Sequence, residues 1–294
     1  MSLTKAKVWY WRGHSIEYQS SGETGPSIIL VHGFGACWQH WRKNIPILGE
    51  SCRCYALDLI GFGKSAKPSP NQEIEYTFET WGQQIIDFAK EIAGEPSLLI
   101  GNSIGAIVVL QAAVDCPEIS RGVVLLNCSL RLLHESKRDA LPWYRKIGTD
   151  ILQKALKNKV IGYFFFSQLA RPNVIRNILK QAYHNQEAVT EELVNILYEA
   201  SLEKGAADVF LSFTGYSDGP LAENLLPLLQ CPVLILWGDK DPWEPIELGR
   251  TLANFTRVEK FISLEGVGHC PQDEAPELVN SILLEWIKSS FPAQ

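Results

Sequence analysis

The 294-residue sequence contains no run of more than two consecutive Lys or Arg residues. Its 33 Asp and Glu residues outnumber its 27 Lys and Arg residues, which leaves a net charge of −6 with neutral histidines. Because nucleic-acid binding requires a basic surface, this charge argues against a general affinity for nucleic acid. The most apolar stretch, 98–114, is interrupted by Gly, Asn, Ser and Gln residues, so it falls short of the about 20 apolar residues that span a membrane.

Metal-binding triads, Cys-x-x-Cys pairs, P-loops and the dinucleotide-binding pattern G-x-G-x-x-G are also absent, so no cofactor is expected. The seven cysteines have no regular spacing, which in a chain that is 46% hydrophobic is typical of reduced thiols in an intracellular protein. The first residues, MSLTKAKVWYW, contain no signal-peptide core, which makes secretion the weaker alternative. We therefore expect a cytoplasmic protein, with contact at a membrane surface as an open alternative.

The length fits two domains of about 150 residues or one larger α/β domain with an insertion. Short β-branched runs alternate with helical patterns in the first half, which predicts a mostly parallel α/β sheet. The predicted strands are 8–11, 16–19, 27–31, 53–57, 97–100, 122–126, 234–237 and 260–264. No strand pattern occurs between the predicted strands 122–126 and 234–237. The sequence therefore predicts an eight-stranded α/β core, 1–129 and 220–294, interrupted by a helical insertion, 130–219.

The strongest chemical signal is Gly101-Asn102-Ser103-Ile104-Gly105, which matches the pattern G-x-S-x-G between a predicted strand and a predicted helix. A sharp strand-to-helix turn forces its central residue into a strained conformation and lifts that side chain out of the sheet. Flanking glycines suit such a turn, because the neighbouring backbone leaves no room for a Cβ atom. The pattern alone also occurs in turns without function, so its context has to decide.

The context includes a second glycine-rich loop at 32–35, His-Gly-Phe-Gly, directly after an earlier predicted strand. A loop of this type supplies one backbone N–H group of an oxyanion hole, and the residue after the nucleophile supplies the other. The two donors would be the amides of Phe34 and Ile104.

A serine nucleophile needs a base, and the base needs an acid that orients it. Ser103 is followed along the chain by Asp241 and His269, each just past the end of a predicted strand, where ligand sites of α/β sheets lie. Asp239 competes for the role of the acid, but Asp241 lies further into a loop that two prolines hold rigid. Cys270 is interpreted as a small buried residue. The sequence therefore predicts a triad of Ser103, Asp241 and His269.

Together these segments resemble the α/β-hydrolase superfamily, and the resemblance covers nearly the whole chain. It implies a helical cap at the predicted insertion, with the active site beneath it. It also implies Ser103 as nucleophile, His269 as base and Asp241 as acid. The segments that carry it are 32–35, 58–65, 101–105, 237–241 and 266–269.

The branch within that superfamily is open. The region of Trp38 and Trp41 is similar to haloalkane dehalogenases and epoxide hydrolases, but those enzymes use an Asp nucleophile where this chain has Ser103. Asn102 beside Ser103 resembles hydrolases that cleave C–C bonds of aromatic ring-fission products. Segments 241–245 and 268–277 are similar to plant and cyanobacterial hydrolases, including pheophytinase and chlorophyll dephytylase, which remove a phytyl ester from chlorin pigments.

Three functions are therefore considered. The first is hydrolysis of a hydrophobic carboxylic ester through an acyl-enzyme. The second is C–C bond hydrolysis, which needs an arginine to bind a substrate carboxylate; the candidates are Arg138, Arg145, Arg171 and Arg176. The third is a non-catalytic ligand-binding protein. The expected partner is a small hydrophobic ester, bound by a monomer or a homodimer.

The aromatic run 160–166 is interpreted either as packing within the cap or as the wall of a hydrophobic pocket or a membrane-facing entry for a lipid-like ester. Sequence patterns do not show which side chains point into the site. The residues expected to contact substrate are Gly33, Trp38, Asn102, Trp143, Phe165 and Trp243.

Overall fold

The computed structural model of the chain describes residues 5–132, 134–140 and 158–291, with only the backbone of 138–140. Eight strands form one sheet in the order β1-β2-β4-β3-β5-β6-β7-β8. Their bounds are β1 Lys7–Trp11, β2 His14–Ser21, β3 Ser27–Val31, β4 Arg53–Leu57, β5 Ser97–Asn102, β6 Ser120–Leu126, β7 Val233–Gly238 and β8 Val258–Leu264. Only the pairs β1–β2 and β2–β4 are antiparallel, so the predicted eight-stranded, mostly parallel sheet is confirmed.

Eleven α-helices occur within the described residues. They are α1 Ile45–Leu48, α2 Phe78–Phe88, α3 Ile104–Asp115, α4 Lys159–Leu169, α5 Pro172–Ala182, α6 Glu191–Leu202, α7 Ala206–Gly215, α8 Ala222–Leu225, α9 Ile246–Gly249, α10 Pro271–Glu274 and α11 Pro276–Ser290. Short 3₁₀ turns occur at Trp38–Trp41, Pro117–Ile119, Glu135–Ala140, Gln186–Ala188, Leu226–Leu228 and Arg250–Asn254. None of the described helices is long and apolar enough to cross a membrane.

The core lies on both faces of the sheet, because the central strands are buried on both sides. Along β3, Ile29 and Val31 pack into the cluster that includes α2 and α3, whereas Ile28 and Leu30 pack into the cluster that includes α1 and α11. This alternation follows from the two-residue period of a strand. All five residues of β3 are buried, which explains why its sequence is a continuous apolar run.

Helix α2 differs in one respect from its sequence pattern. The pattern predicts one helix over 78–93, and Thr77 caps its start by accepting a hydrogen bond from the amide of Thr80. The α-helix ends at Phe88 and continues as a π-helical turn, Ala89–Ala93, before Gly94 with φ 72°. The glycine ends the helix because it adopts the left-handed conformation without strain.

Helices α4 to α7 occupy the chain between β6 and β7, and the described residues there contain no strand. A separate apolar cluster holds α5 and α6 together through Leu179, Leu193 and Val194. Tyr183 and Cys270 belong to the same cluster, so the end of α5 packs directly against the residue that follows His269. The boundaries of the inserted domain at 130 and 219 stay a prediction.

Candidate active site

Ser103 lies in the turn between β5 and α3, with φ 56° and ψ −121°, a region that non-glycine residues rarely adopt. Close packing of backbone enforces this turn. A Cβ atom at Gly105 would lie 2.5 Å from the carbonyl oxygen of His32, and one at Gly101 would lie 2.2 Å from that of Gly105. The amide of Ser103 donates to the carbonyl oxygen of Leu126 at 3.0 Å. The serine is thus fixed at the carboxyl edge of the sheet.

Asp241 and His269 lie in the loops after β7 and β8 and form a hydrogen bond. Nδ1 of His269 is 2.7 Å from Oδ2 of Asp241, and both residues are buried. The backbone N–H of His269 donates to the carbonyl oxygen of Ala182, at the end of α5, at 2.8 Å. The ring of Trp243 lies 4.9 Å from the imidazole between centroids. These contacts hold the imidazole in one orientation.

The carboxylate of Asp241 accepts three further hydrogen bonds. The side-chain amide of Asn127 donates at 2.7 Å, and the backbone amides of Trp243 and Glu244 donate at 2.9 and 3.0 Å. Burial alone would raise the pKa of Asp241, but the hydrogen bond and charge of His269, together with the other donors, lower it below its usual value. Asp241 is therefore ionised and fixes the proton of His269 on Nδ1.

A cavity of about 390 Å³ is bounded by Ser103 and His269. Its far wall consists of apolar side chains from the helices between β6 and β7. They include Phe166, Leu169, Ile175, Ile178, Leu179 and Phe210. Such a cavity, apolar with a few convergent polar groups, is typical of a small-molecule site.

Three of the residues predicted to contact substrate border this cavity, namely Gly33, Asn102 and Trp243. The side-chain amide of Asn102 donates to the carbonyl oxygens of Leu126 and His269, each at 3.1 Å. Asn102 therefore ties the end of β5 to the backbone of the histidine, in addition to forming part of the wall.

Of the other three residues predicted to contact substrate, the two that the structure describes do not border the cavity. Trp38 does not border the cavity; it is buried, and its indole N–H donates to Glu17 at 2.9 Å. Phe165 does not border it either, whereas its neighbour Phe166 does, because adjacent helical residues point in different directions. Trp143 lies outside the described residues.

Of the two residues predicted to supply oxyanion donors, Phe34 borders the same cavity as Ser103, and Ile104 follows Ser103 in the chain. Phe34 borders the cavity and stacks on Phe213 with ring centroids 4.8 Å apart. Ile104 is the first residue of α3, directly after Ser103, and its side chain is buried. The role predicted for Ile104 belongs to its backbone amide, which lies at the positive end of the helix dipole.

Cys270 is buried beside His269 and borders the cavity, and burial raises the pKa of its thiol well above the usual value. It is therefore a neutral thiol, as expected for a small packing residue. All seven cysteines are free. Within the described ranges, no group of three or more His, Cys, Asp or Glu side chains is placed to hold a metal ion.

Sequence reasoning missed three polar residues of the site, Asn127, Glu244 and His40. Asn127 follows β6 directly, so its position at a strand end was the available signal. Glu244 and His40 border the cavity, but no local pattern marks them. Nε2 of His40 lies 2.9 Å from the hydroxyl of Tyr183, and burial lowers the pKa of His40 to about 4, which keeps it neutral.

The chain is similar in sequence to known hydrolases. A family model described as "Alpha/beta hydrolase family" matches residues 28–282. The chain is 28% identical to the hydrolase YugF of Bacillus subtilis over 92% of both chains. It is 25% identical to the chloroplastic pheophytinase of Arabidopsis thaliana over 93% of this chain, which spans 64% of that protein's length.

A solved structure extends the likeness to the fold. The crystal structure of a serine hydrolase involved in carbazole degradation superposes with a TM-score of 0.77 at 20% identity, over 97% of this chain and 99% of that chain. At this level of identity the likeness concerns the fold, not the substrate.

Proposed function

Because the chain belongs to the alpha/beta hydrolase family, we propose that it is a serine hydrolase that cleaves a hydrophobic carboxylic ester through an acyl-enzyme. One observation carries the proposal. The hydrogen-bonded pair of Asp241 and His269 shares a cavity wall with Ser103, whose backbone is held in a strained turn. Backbone strain and a buried acid–histidine pair in one cavity are features of nucleophilic catalysis.

In the proposed mechanism, Ser103 attacks the ester carbonyl while Nε2 of His269 takes the hydroxyl proton. Asp241 keeps the proton of the imidazole on Nδ1, which leaves Nε2 free to accept. The amides of Phe34 and Ile104 stabilise the oxyanion, and each such donor is typically worth about 3–4 kcal/mol. His269 then protonates the leaving alcohol, and water hydrolyses the acyl-enzyme with His269 again as base.

The apolar cavity wall supports a hydrophobic substrate. Burial of each methylene group contributes about 0.8 kcal/mol to binding, so kcat/KM should rise with chain length until the cavity is filled. We propose that α4 to α7 form the cap that encloses this chain. A phytyl ester of a chlorin pigment is a specific candidate that rests on the resemblance to pheophytinase.

C–C bond hydrolysis receives no support from the described arginines. Arg171 and Arg176 do not border the cavity, and Arg176 pairs with Glu191. The side chain of Arg138 and the whole of Arg145 lie outside the described residues.

The test is turnover of an ester panel of increasing chain length, including a chlorin phytyl ester, by wild type and by Ser103→Ala. We expect the variant to lose turnover and labelling by a fluorophosphonate, because it lacks the hydroxyl of the proposed nucleophile. The matched control is Ser263→Ala, on the exposed side of β8, which should react like the wild type. Turnover or labelling that survives in Ser103→Ala would contradict the mechanism.

A further inference from the structure

We propose that Glu244 is a positioning residue that ties the loops of Ser103 and Asp241 together, and that its negative charge stabilises the imidazolium that forms on His269. The inference rests on the proposed function, because it assigns a role within the same site. Glu244 lies three residues after Asp241 and borders the cavity, yet it is not part of the predicted triad.

Glu244 connects the loop after β7 to the loop after β6. Its carboxylate accepts hydrogen bonds from the Ser129 hydroxyl at 3.2 Å and from the Leu130 amide at 3.1 Å. The amide of Ser129 in turn donates to the carbonyl oxygen of Ser103 at 3.1 Å. The backbone amide of Glu244 donates to Asp241 at 3.0 Å. One residue therefore ties the turn of the nucleophile to the loop of the acid.

The backbone of Glu244 is held just as firmly. Its carbonyl oxygen accepts the indole N–H of Trp237 at 2.9 Å, and Trp237 is a fully buried residue of β7. The carboxylate consequently has little freedom to turn away from the site.

The surroundings of this carboxylate favour its neutral form. Burial raises the pKa of Glu244 to about 7, although the Leu130 amide and the charge of His269 oppose the increase. The titratable groups that face it are Asp241 on its own loop, His269 after β8 and Cys128 after β6. An ionised Glu244 therefore destabilises the folded protein at alkaline pH.

A glutamine could make the same loop connection without that destabilisation. Its Oε1 could accept from Leu130, and its Nε2 could donate to the Ser129 hydroxyl. A carboxylate at a position that disfavours its charged form indicates that the charge has a role in function, because functional sites tolerate such unfavourable burial. The charge stabilises the imidazolium that forms on His269 when Ser103 loses its proton. Protonation of Glu244 removes that charge and one of the two acceptor oxygens.

The experiment measures the rate of Ser103 labelling by a small fluorophosphonate from pH 5 to 9 in wild type, Glu244→Gln and Glu244→Asp. For the wild type we expect a two-proton dependence on the acid side, to which Glu244 contributes one proton. Glu244→Gln should show a one-proton dependence and at least a tenfold lower rate at pH 8. Glu244→Asp, which keeps the charge, should retain the two-proton dependence.

Glu247→Gln is the matched control, because Glu247 is exposed three residues further on and should behave like the wild type. Unfolding in urea at pH 8 separates a structural role from a role in reactivity. We expect Glu244→Gln to be at least as stable as the wild type while it reacts more slowly.

Three outcomes overturn the inference. The first is a one-proton dependence of wild-type labelling at acid pH. The second is an equal rate of labelling in wild type and Glu244→Gln. Slow labelling that is accompanied by an equal loss of stability assigns Glu244 a structural role instead. Absence of labelling in the wild type overturns the proposed function as well, so the two failures are distinguishable.

Discussion

Asn127 illustrates how a single side chain can complete the site. Its amide group donates to Asp241 at 2.7 Å, and its carbonyl oxygen accepts the amide of Gly238 at 3.0 Å. It does so with φ 42°, in the left-handed region that Asn tolerates better than most residues. Asn127 therefore joins the ends of β6 and β7 directly beneath the acid.

We predict that Asn127→Ala lowers the free energy of unfolding by about 1–3 kcal/mol, because the buried amide of Gly238 loses its acceptor. The kcat of the variant should fall by about tenfold or more, since Asp241 loses one of its four donors and orients His269 less firmly. Urea denaturation and ester kinetics check both effects. Asn224→Ala, at an exposed position of α8, is the control, and equal behaviour of the two variants would refute the prediction.

The sequence predicts the site residues that belong to motifs. It misses the residues whose contacts form only because two strands are neighbours in the sheet. Motifs and the order of strand ends predict Ser103, Asp241 and His269; in the structure Asp241 and His269 are hydrogen-bonded, and Ser103 borders the same cavity as His269. Asn127 contacts Asp241 across 114 residues of chain, and Ser129 contacts Glu244 across 115. Only the neighbouring positions of β6 and β7 in the sheet create these contacts, so no local pattern reveals them.

At the scale of elements, the packing of α3 against β3 controls where the nucleophile lies. Gly105 is the point of closest approach, because its missing Cβ atom would lie 2.5 Å from the backbone of His32 and 2.6 Å from that of Val31. Backbone atoms at these positions cannot move aside without shifting a strand of the central sheet.

We predict that Gly105→Ala destabilises the protein by about 1–3 kcal/mol through overpacking. It should also slow fluorophosphonate labelling, since α3 must move away from β3 and carry Ser103 with it. Gly215→Ala is the matched control, because a Cβ atom at Gly215 would meet nothing within 4 Å. Urea denaturation of both variants is the measurement, and similar stabilities of the two would show that the close approach has no energetic effect.

The elements themselves differ in how well the sequence predicts them. The apolar runs predicted the strands to within about two residues, and with the observed bounds at β3, where burial on both faces leaves few alternatives. The aromatic run 160–166 leaves its interpretation open from sequence, and its residues in α4 have different surroundings: Phe166 borders the cavity, whereas Val160 and Phe164 are 78% and 67% exposed. Residue types alone do not reveal which side of a helix meets the core when nearly every position is apolar.

At the scale of the whole molecule, three buried titratable groups and the half-buried Glu244 have opposite effects on stability. Burial raises the pKa values of Asp58 and Glu244 to about 7. Burial also lowers the pKa values of His32 and His40 to about 4. The acids bind protons more tightly in the folded state, so their contribution to stability declines as pH rises to 7. The histidines bind protons more tightly in the unfolded state, so their contribution to stability increases as pH rises to about 6.5.

We predict that these effects nearly cancel, so that the free energy of unfolding of the wild type changes little between about pH 4.5 and 6.5. Glu244→Gln removes one of the two acids. Its stability should therefore rise with pH across this interval, by up to about 3 kcal/mol for a pKa shift of this size. Urea denaturation at several pH values checks this, and parallel curves for the two proteins would show that Glu244 does not titrate as expected.

The hydrogen bond from the backbone N–H of His269 to the carbonyl oxygen of Ala182 restricts how a substrate reaches the cavity. The same end of α5 is also fixed by Tyr183, which donates to Asp273 at 2.9 Å, and by Asn185, whose amide donates to Glu274 at 2.7 Å. Lifting this end would pull His269 away from Ser103. Any opening of the helices above the cavity must therefore leave the end of α5 in place beside the histidine.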